Sequence, residues 1–160
     1  PTNNGTIAPD NAGAVMASQQ VQFKTTPSAG VITTYGIGNA SSTTDVIVVP
    51  AGAIINNIKF FETTAPSALT GGTITVSSGS TTLGTIATST SNGIVAFTPA
   101  ATAAAIGFLA NVGTSDVTLT FTMGSISGVT GTLAGTFTVE YTARNYDGSI
   151  TNVGQGYTNS

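Results

Sequence analysis

Six carboxylates are the side chains best suited to acid–base chemistry in this chain: Asp10, Asp45, Glu62, Asp116, Glu140 and Asp147. Paired carboxylates work through their separation in space, and nothing in the spacing of these six sets one. Asp45 and Asp116 each stand just before an apolar run, where a side-chain acceptor closes a turn. Glu62 follows Lys59 by three positions, which places the two on opposite faces of a strand and not in a pair. Glu140 falls on the polar face of an alternating run, solvated or reaching Arg144 if the strand bends.

Histidine and cysteine are both absent. That removes the usual general base and imidazole ligand, and any disulfide or thiolate metal site. The fifteen serines therefore lack a base to activate them. RNYDGS, residues 144–149, has neither the alternating oxygen ligands nor the closing glutamate of a calcium loop. No strand, glycine-rich loop and lysine follow one another to cradle phosphate. Lys24, Lys59 and Arg144 are the only cations, too few to neutralise a run of nucleic-acid phosphates. The expectation is a protein with no enzymatic activity, no cofactor, no metal and no nucleic-acid partner. No apolar run reaches the roughly 18 residues of a membrane-spanning helix, so no membrane partner is expected either. Of the four tyrosines, Tyr141 shares a face with Val139 and reads as core. Tyr146 and Tyr157, near the C-terminus, read as contacts to a partner protein.

Strands must position whatever these side chains do. FTVEYTA puts Phe137, Val139 and Tyr141 on one face and Thr138, Glu140 and Thr142 on the other. VTLTFTM alternates Val117, Leu119, Phe121 and Met123 with threonines. Both have the period of a sheet with one buried face. GTITVSS, GVITTYGIG, LGTIATS and GIVAFTP are shorter runs of the same kind. In VIVVPAGAII the strand ends at Val49. Pro50 cannot donate to a ladder, Gly52 tolerates a left-handed turn, and a returning strand starts at Ile54. PAATAAAIGFL alone has helical character, with Pro99 at a first-turn position. About eight or nine short strands between Gly-rich turns predict an all-β antiparallel sandwich of jelly-roll type.

The domain reading has three parts. Residues 1–30 hold three of the six prolines and only scattered apolar residues, and read as an extended N-terminal arm. Residues 31–143 are the β-sandwich domain, and 144–160 a C-terminal tail. Ile7, Val15 and Phe23 are the arm's expected anchors on a partner. Charged residues make up 6% of the chain, against about 25% in ordinary soluble domains. Thirty-one threonines fill much of the polar surface instead. A surface of hydroxyls has few long side chains to immobilise on docking, which favours assembly over catalysis. The start, PTNNGTIAPDN, lacks the basic head and apolar block of a signal peptide. Cleavage of an initiator methionine before proline is the simpler expectation.

Three stretches carry a resemblance: TDVIVVPAGAIINNIKFFETT, FLANVGTSDVTLTFTM and GTLAGTFTVEYTAR. The body of the chain that contains them resembles the small virion proteins of tailed bacteriophages, in particular capsid decoration (cement) proteins. The resemblance implies a non-enzymatic β-sandwich protein, made in the host cytoplasm and often trimeric. Such a protein binds the major capsid protein on the outer face of the expanded shell and stabilises it. It also implies a terminal arm that runs over neighbouring shell subunits. A tail, fibre or baseplate component remains open, as does a secreted adhesin or surface-layer domain.

Overall fold

The computed structural model describes residues 16–38 and 44–143. Among them the chain is all-β apart from one short helix. The strands are β1 Met16–Thr25, β2 Gly30–Val31, β3 Tyr35–Gly36, β4 Val48–Val49, β5 Ile54–Thr64, β6 Ala68–Gly71, β7 Thr73–Ser78, β8 Thr81–Ala87, β9 Gly93–Pro99, β10 Val117–Thr118, β11 Thr120–Met123, β12 Ile126–Thr130 and β13 Leu133–Thr142. The helix α1, Ala103–Ala110, lies between β9 and β10. Nine strands form one antiparallel sheet in the order β2-β11-β7-β8-β9-β5-β13-β1-β3; β4 pairs with β10, and β6 with β12.

This sheet is curled into a half-barrel, and β9 is its corner. Residues 93–96 of β9 pair with β5, and residues 97–99 pair with β8. The curl brings distant strands face to face. Phe121 on β11 stacks on Phe137 of β13 with ring centroids 3.8 Å apart, although four strands separate them in the sheet. Phe23 and Phe60 complete the group, each 5.1 Å from the Phe137 ring. Around them the inward residues of the alternating runs, such as Ile74, Val76, Leu83 and Ile86, are fully buried. The segment from Gly30 to Gly36 borders both margins of the sheet. Its first residues pair with β11 and its last with β1. GVITTYGIG is thus two short strands joined by a crossing, where the sequence predicts one.

The corner in VIVVPAGAII is a turn closed by a hydrogen bond from Ala53 N to Pro50 O of 3.2 Å. Gly52, at φ +73°, occupies the position where such a turn needs a left-handed residue. Asp116 accepts from Ala51 N at 2.9 Å, the turn-acceptor role expected from its place in the sequence. The two strands flanking the corner do not pair with each other: β4 joins β10, whereas β5 lies between β9 and β13.

Two expectations need correction. The N-terminal arm cannot extend to residue 30, because Met16–Thr25 is a strand in register with β13 along its whole length. Val21 and Phe23 are each 2% exposed, so Phe23 is a core residue and not an anchor for a partner. The β1 core face reads Gln19, Val21, Phe23, and the glutamines of the strand masked its period of two. Residues 1–15 and 144–160, with Ile7, Val15, Tyr146 and Tyr157, lie outside the described residues. The second correction concerns the helix. Pro99 ends β9 instead of opening α1, and Thr102 is the N-cap, accepting from Ala105 N at 3.2 Å.

Gln19 supplies what its sequence position does not announce. Its side-chain amide accepts from Val48 N at 3.0 Å and donates to Val48 O. It thereby acts as a substitute peptide group that holds β4 against β1. The same nitrogen donates to the Tyr141 hydroxyl at 3.0 Å. Gln19→Leu keeps most of the volume but leaves three polar groups without this partner. The expected cost is about 2 kcal/mol, read as a lower urea midpoint with an unchanged slope.

Candidate interaction surfaces

The remaining carboxylates do not converge. Asp45 accepts from Val46 N at 2.9 Å, and Asp116 serves the Pro50 corner. Glu140 is half-buried on the outer side of β13; Arg144 and RNYDGS fall outside the described residues. Among the described residues no group of three or more Asp, Glu, His or Cys could hold a metal ion. No helix of the described residues is long and apolar enough to cross a membrane. Tyr35 and Tyr141 are buried, 9% and 7% exposed.

Glu62 lies within β5. It is 2% exposed because Ile58, Phe60 and Glu62 share the inward face of β5. That spacing is visible in the sequence. Its cross-strand neighbours are Gly135 on one side and Gly93 on the other. Ser89 N donates to Oε2 at 3.3 Å, and Oε1 has no partner among the described residues. Burial raises the carboxyl's pKa above its ordinary value of 4.5, opposed by the Ser89 hydrogen bond.

The folded state therefore holds this proton more tightly than the unfolded chain. Well below pH 4.5 both states are protonated and no penalty exists; the penalty grows as pH rises past the unfolded value and is complete above the raised folded pKa. Glu62→Gln is expected to stabilise the protein at neutral pH by about 1 kcal/mol. The gain over wild type should shrink to nothing in acid, as read from melting curves at a series of pH values. A variant equally shifted at every pH would contradict this.

The outer face of one half of the sheet is a ladder of threonines. Cross-strand partners run Thr122–Thr75 between β11 and β7, Thr75–Thr85 between β7 and β8, and Thr85–Thr98 between β8 and β9. A second row, Thr120–Ser77–Thr82, lies beside it. The alternation in each strand is legible in the sequence, whereas the register between strands is not. These side chains oppose the core residues Ile74, Val76, Ile86 and Phe121. The result is an uncharged face of methyls and hydroxyls. Threonine is already stiff at χ1, so covering such a face loses little rotamer freedom.

The surface of the described residues includes two hollows. One, of about 200 Å³, lies by Lys24, Thr33 and Tyr35 at the crossing segment. The other, of about 280 Å³, opens where β9 leaves β5 for β8, with Ile55, Ile58, Phe97 and Leu109 among its walls. Neither gathers groups that could carry out a reaction. Comparisons with protein-family models, curated proteins and solved structures found no match to this chain.

Proposed function

We propose that this chain is a non-enzymatic virion structural protein that binds the outer surface of a tailed-phage capsid and stabilises the expanded shell. The observation that carries this reading is the threonine ladder Thr122–Thr75–Thr85–Thr98. It is an uncharged and conformationally restrained face, suited to permanent docking more than to rapid, steered encounter. The sequence resemblance to decoration proteins supplies the partner, the major capsid protein. Many copies on a symmetric lattice add avidity to weak single contacts. The proposal includes a trimer and a jelly-roll grouping of the curled sheet into two facing layers. Residues 1–15 serve as the arm, with Ile7 and Val15 among its anchors and Tyr146 and Tyr157 as contacts of the tail.

The test is co-sedimentation of the purified chain with matching expanded shells. Wild type is expected to pellet with the shells. Thr75→Lys/Thr85→Lys is expected to stay in solution with an intact melting transition, because it sets two buried charges against the partner. Removal of residues 1–15 should likewise keep the melt and lower the affinity. A well-folded wild-type chain that ignores expanded shells would sink the proposal.

A further inference from the structure

The segment that leaves β1 shapes a hollow as it crosses between the margins of the sheet. Phe23 faces the core, so Lys24, the next residue of β1, faces outward. The chain then arches through residues 26–29, enters β2 at Gly30 and returns to β1 as β3. Gly30 has a φ of +132°, a conformation that residues with a Cβ rarely adopt. Tyr35 stands opposite Gln22 in the pairing of β3 with β1. Opposed residues of an antiparallel pair share a side, and the diagonal neighbour two positions along lies about 7–8 Å away. Tyr35 and Lys24 are therefore diagonal neighbours on one side of the sheet.

The described lining of this hollow of about 200 Å³ carries a single charge, that of Lys24, and no Asp or Glu. Asp45 accepts from Val46 N and is not part of the lining. Lys24 has no ion pair among the described residues. Ser28, Thr33 and Tyr35 each bring a hydroxyl to the lining with no hydrogen-bond partner among the described residues. Thr25 differs, because its hydroxyl already donates to Thr26 O at 3.0 Å. Tyr35 is the most informative of the group. It is 9% exposed, and a phenol buried to that extent ordinarily finds a partner.

We propose that this hollow is a carboxylate-binding site, in which the Lys24 ammonium supplies the charge and the hydroxyls of Tyr35, Ser28 and Thr33 donate to the carboxylate oxygens. The sign of the ligand follows from the lining, which holds a cation and uncommitted donors but no anion. Its charge follows from the count. One lysine matches a monoanion, whereas a phosphate dianion calls for a second cation, and Lys59 is not among the lining residues. Hydrogen bonds to an ionised acceptor are the stronger kind. The buried Ile32 and Met123 also line the hollow, and such low-dielectric walls strengthen a charge pair over its worth on an open surface. The carboxylate belongs either to a small free acid or to an acidic side chain of a partner protein, and the site recognises the same group in both. The inference does not depend on the shell reading, since a free carboxylate tests it without shells.

Titration of the isotope-labelled full chain with sodium acetate in place of sodium chloride, at constant ionic strength, tests it by NMR. Saturable shifts are expected at the amides of Lys24 and residues 28–35. Lys24→Met should abolish them with the fold intact. Tyr35→Phe should weaken acetate binding about tenfold yet melt at the wild-type temperature, because its hydroxyl has no bond within the fold to lose. A parallel titration with a blocked aspartyl peptide separates the two sources. Tighter binding of the peptide assigns the site to a partner's side chain, and equal affinity assigns it to a small free acid. Absence of saturable shifts with either probe overturns the proposal. So do shifts that persist in Lys24→Met, or a Tyr35→Phe variant that melts lower and binds acetate as well as wild type.

Discussion

A chain that begins at residue 26 is expected to lose cooperative folding, whereas one that begins at residue 16 keeps it. The difference is β1. It pairs with β13 from Met16–Thr142 to Thr25–Leu133, and its removal exposes the other edge of the strand that carries Phe137 and Val139. It also removes Phe23 from its stack with Phe60 and Phe137. Phe23→Ala alone should cost about 4 kcal/mol, a large part of the roughly 5–15 kcal/mol by which domains are stable. Deleting the strand adds Val21, the whole ladder and the Gln19 link to β4. The measurement is urea unfolding followed by circular dichroism. A sigmoidal transition with a full-sized slope in the chain lacking residues 1–25 would show that β1 is dispensable.

Gly135→Ala should be nearly as damaging, for the opposite reason. A Cβ at this position would lie 2.3 Å from the backbone oxygen of Phe61 and 2.3 Å from Cε2 of Phe60. The ring could turn aside, but the carbonyl oxygen belongs to the neighbouring strand and can move only if β5 and β13 separate. One methyl therefore forces either the Phe60 ring out of its stack or the ladder apart. Overpacking of this kind costs about 3 kcal/mol. Phe60→Ala removes the ring contact and leaves the carbonyl contact. The double variant should therefore be less destabilised than the sum of the two single changes, by about 1 kcal/mol. Full additivity, or a Gly135→Ala variant within about 0.5 kcal/mol of wild type, would mean that the close approach is not maintained in solution.

Much of the fold can be read from periodicity. The alternation in FTVEYTA and VTLTFTM puts Phe121, Phe137, Val139 and Tyr141 in the core, where they are found. The proline corner at Pro50 is equally plain. The sheet's curl is not, because it depends on β9 changing partners at Phe97, a matter of register between segments far apart in sequence. The arm boundary fails for a local reason. In MASQQVQFKT three glutamines occupy a strand with few apolar residues, and a search for apolar alternation passes over it. Gln19 earns its place through a bond to Val48, which only the tertiary fold brings near.

The candidate surfaces divide in the same way. Each threonine of the ladder is visible in its own strand, but the four-strand row exists only once β11, β7, β8 and β9 are in register. The helix was legible as a short alanine-rich segment. The side of AAAIGFLA that meets the sheet was not, since it is set by packing against β5 and β8. Glu62 combines both cases. The shared face of Ile58, Phe60 and Glu62 follows from a period of two, whereas its cross-strand neighbours Gly135 and Gly93 follow from pairing.

Immunogold electron microscopy of the source particles is the sharpest test of the proposal that this chain coats a phage head. With an antibody to the purified chain, gold is predicted over the whole surface of expanded heads. Gold confined to tails, or to cells with bare particles, would contradict the shell assignment.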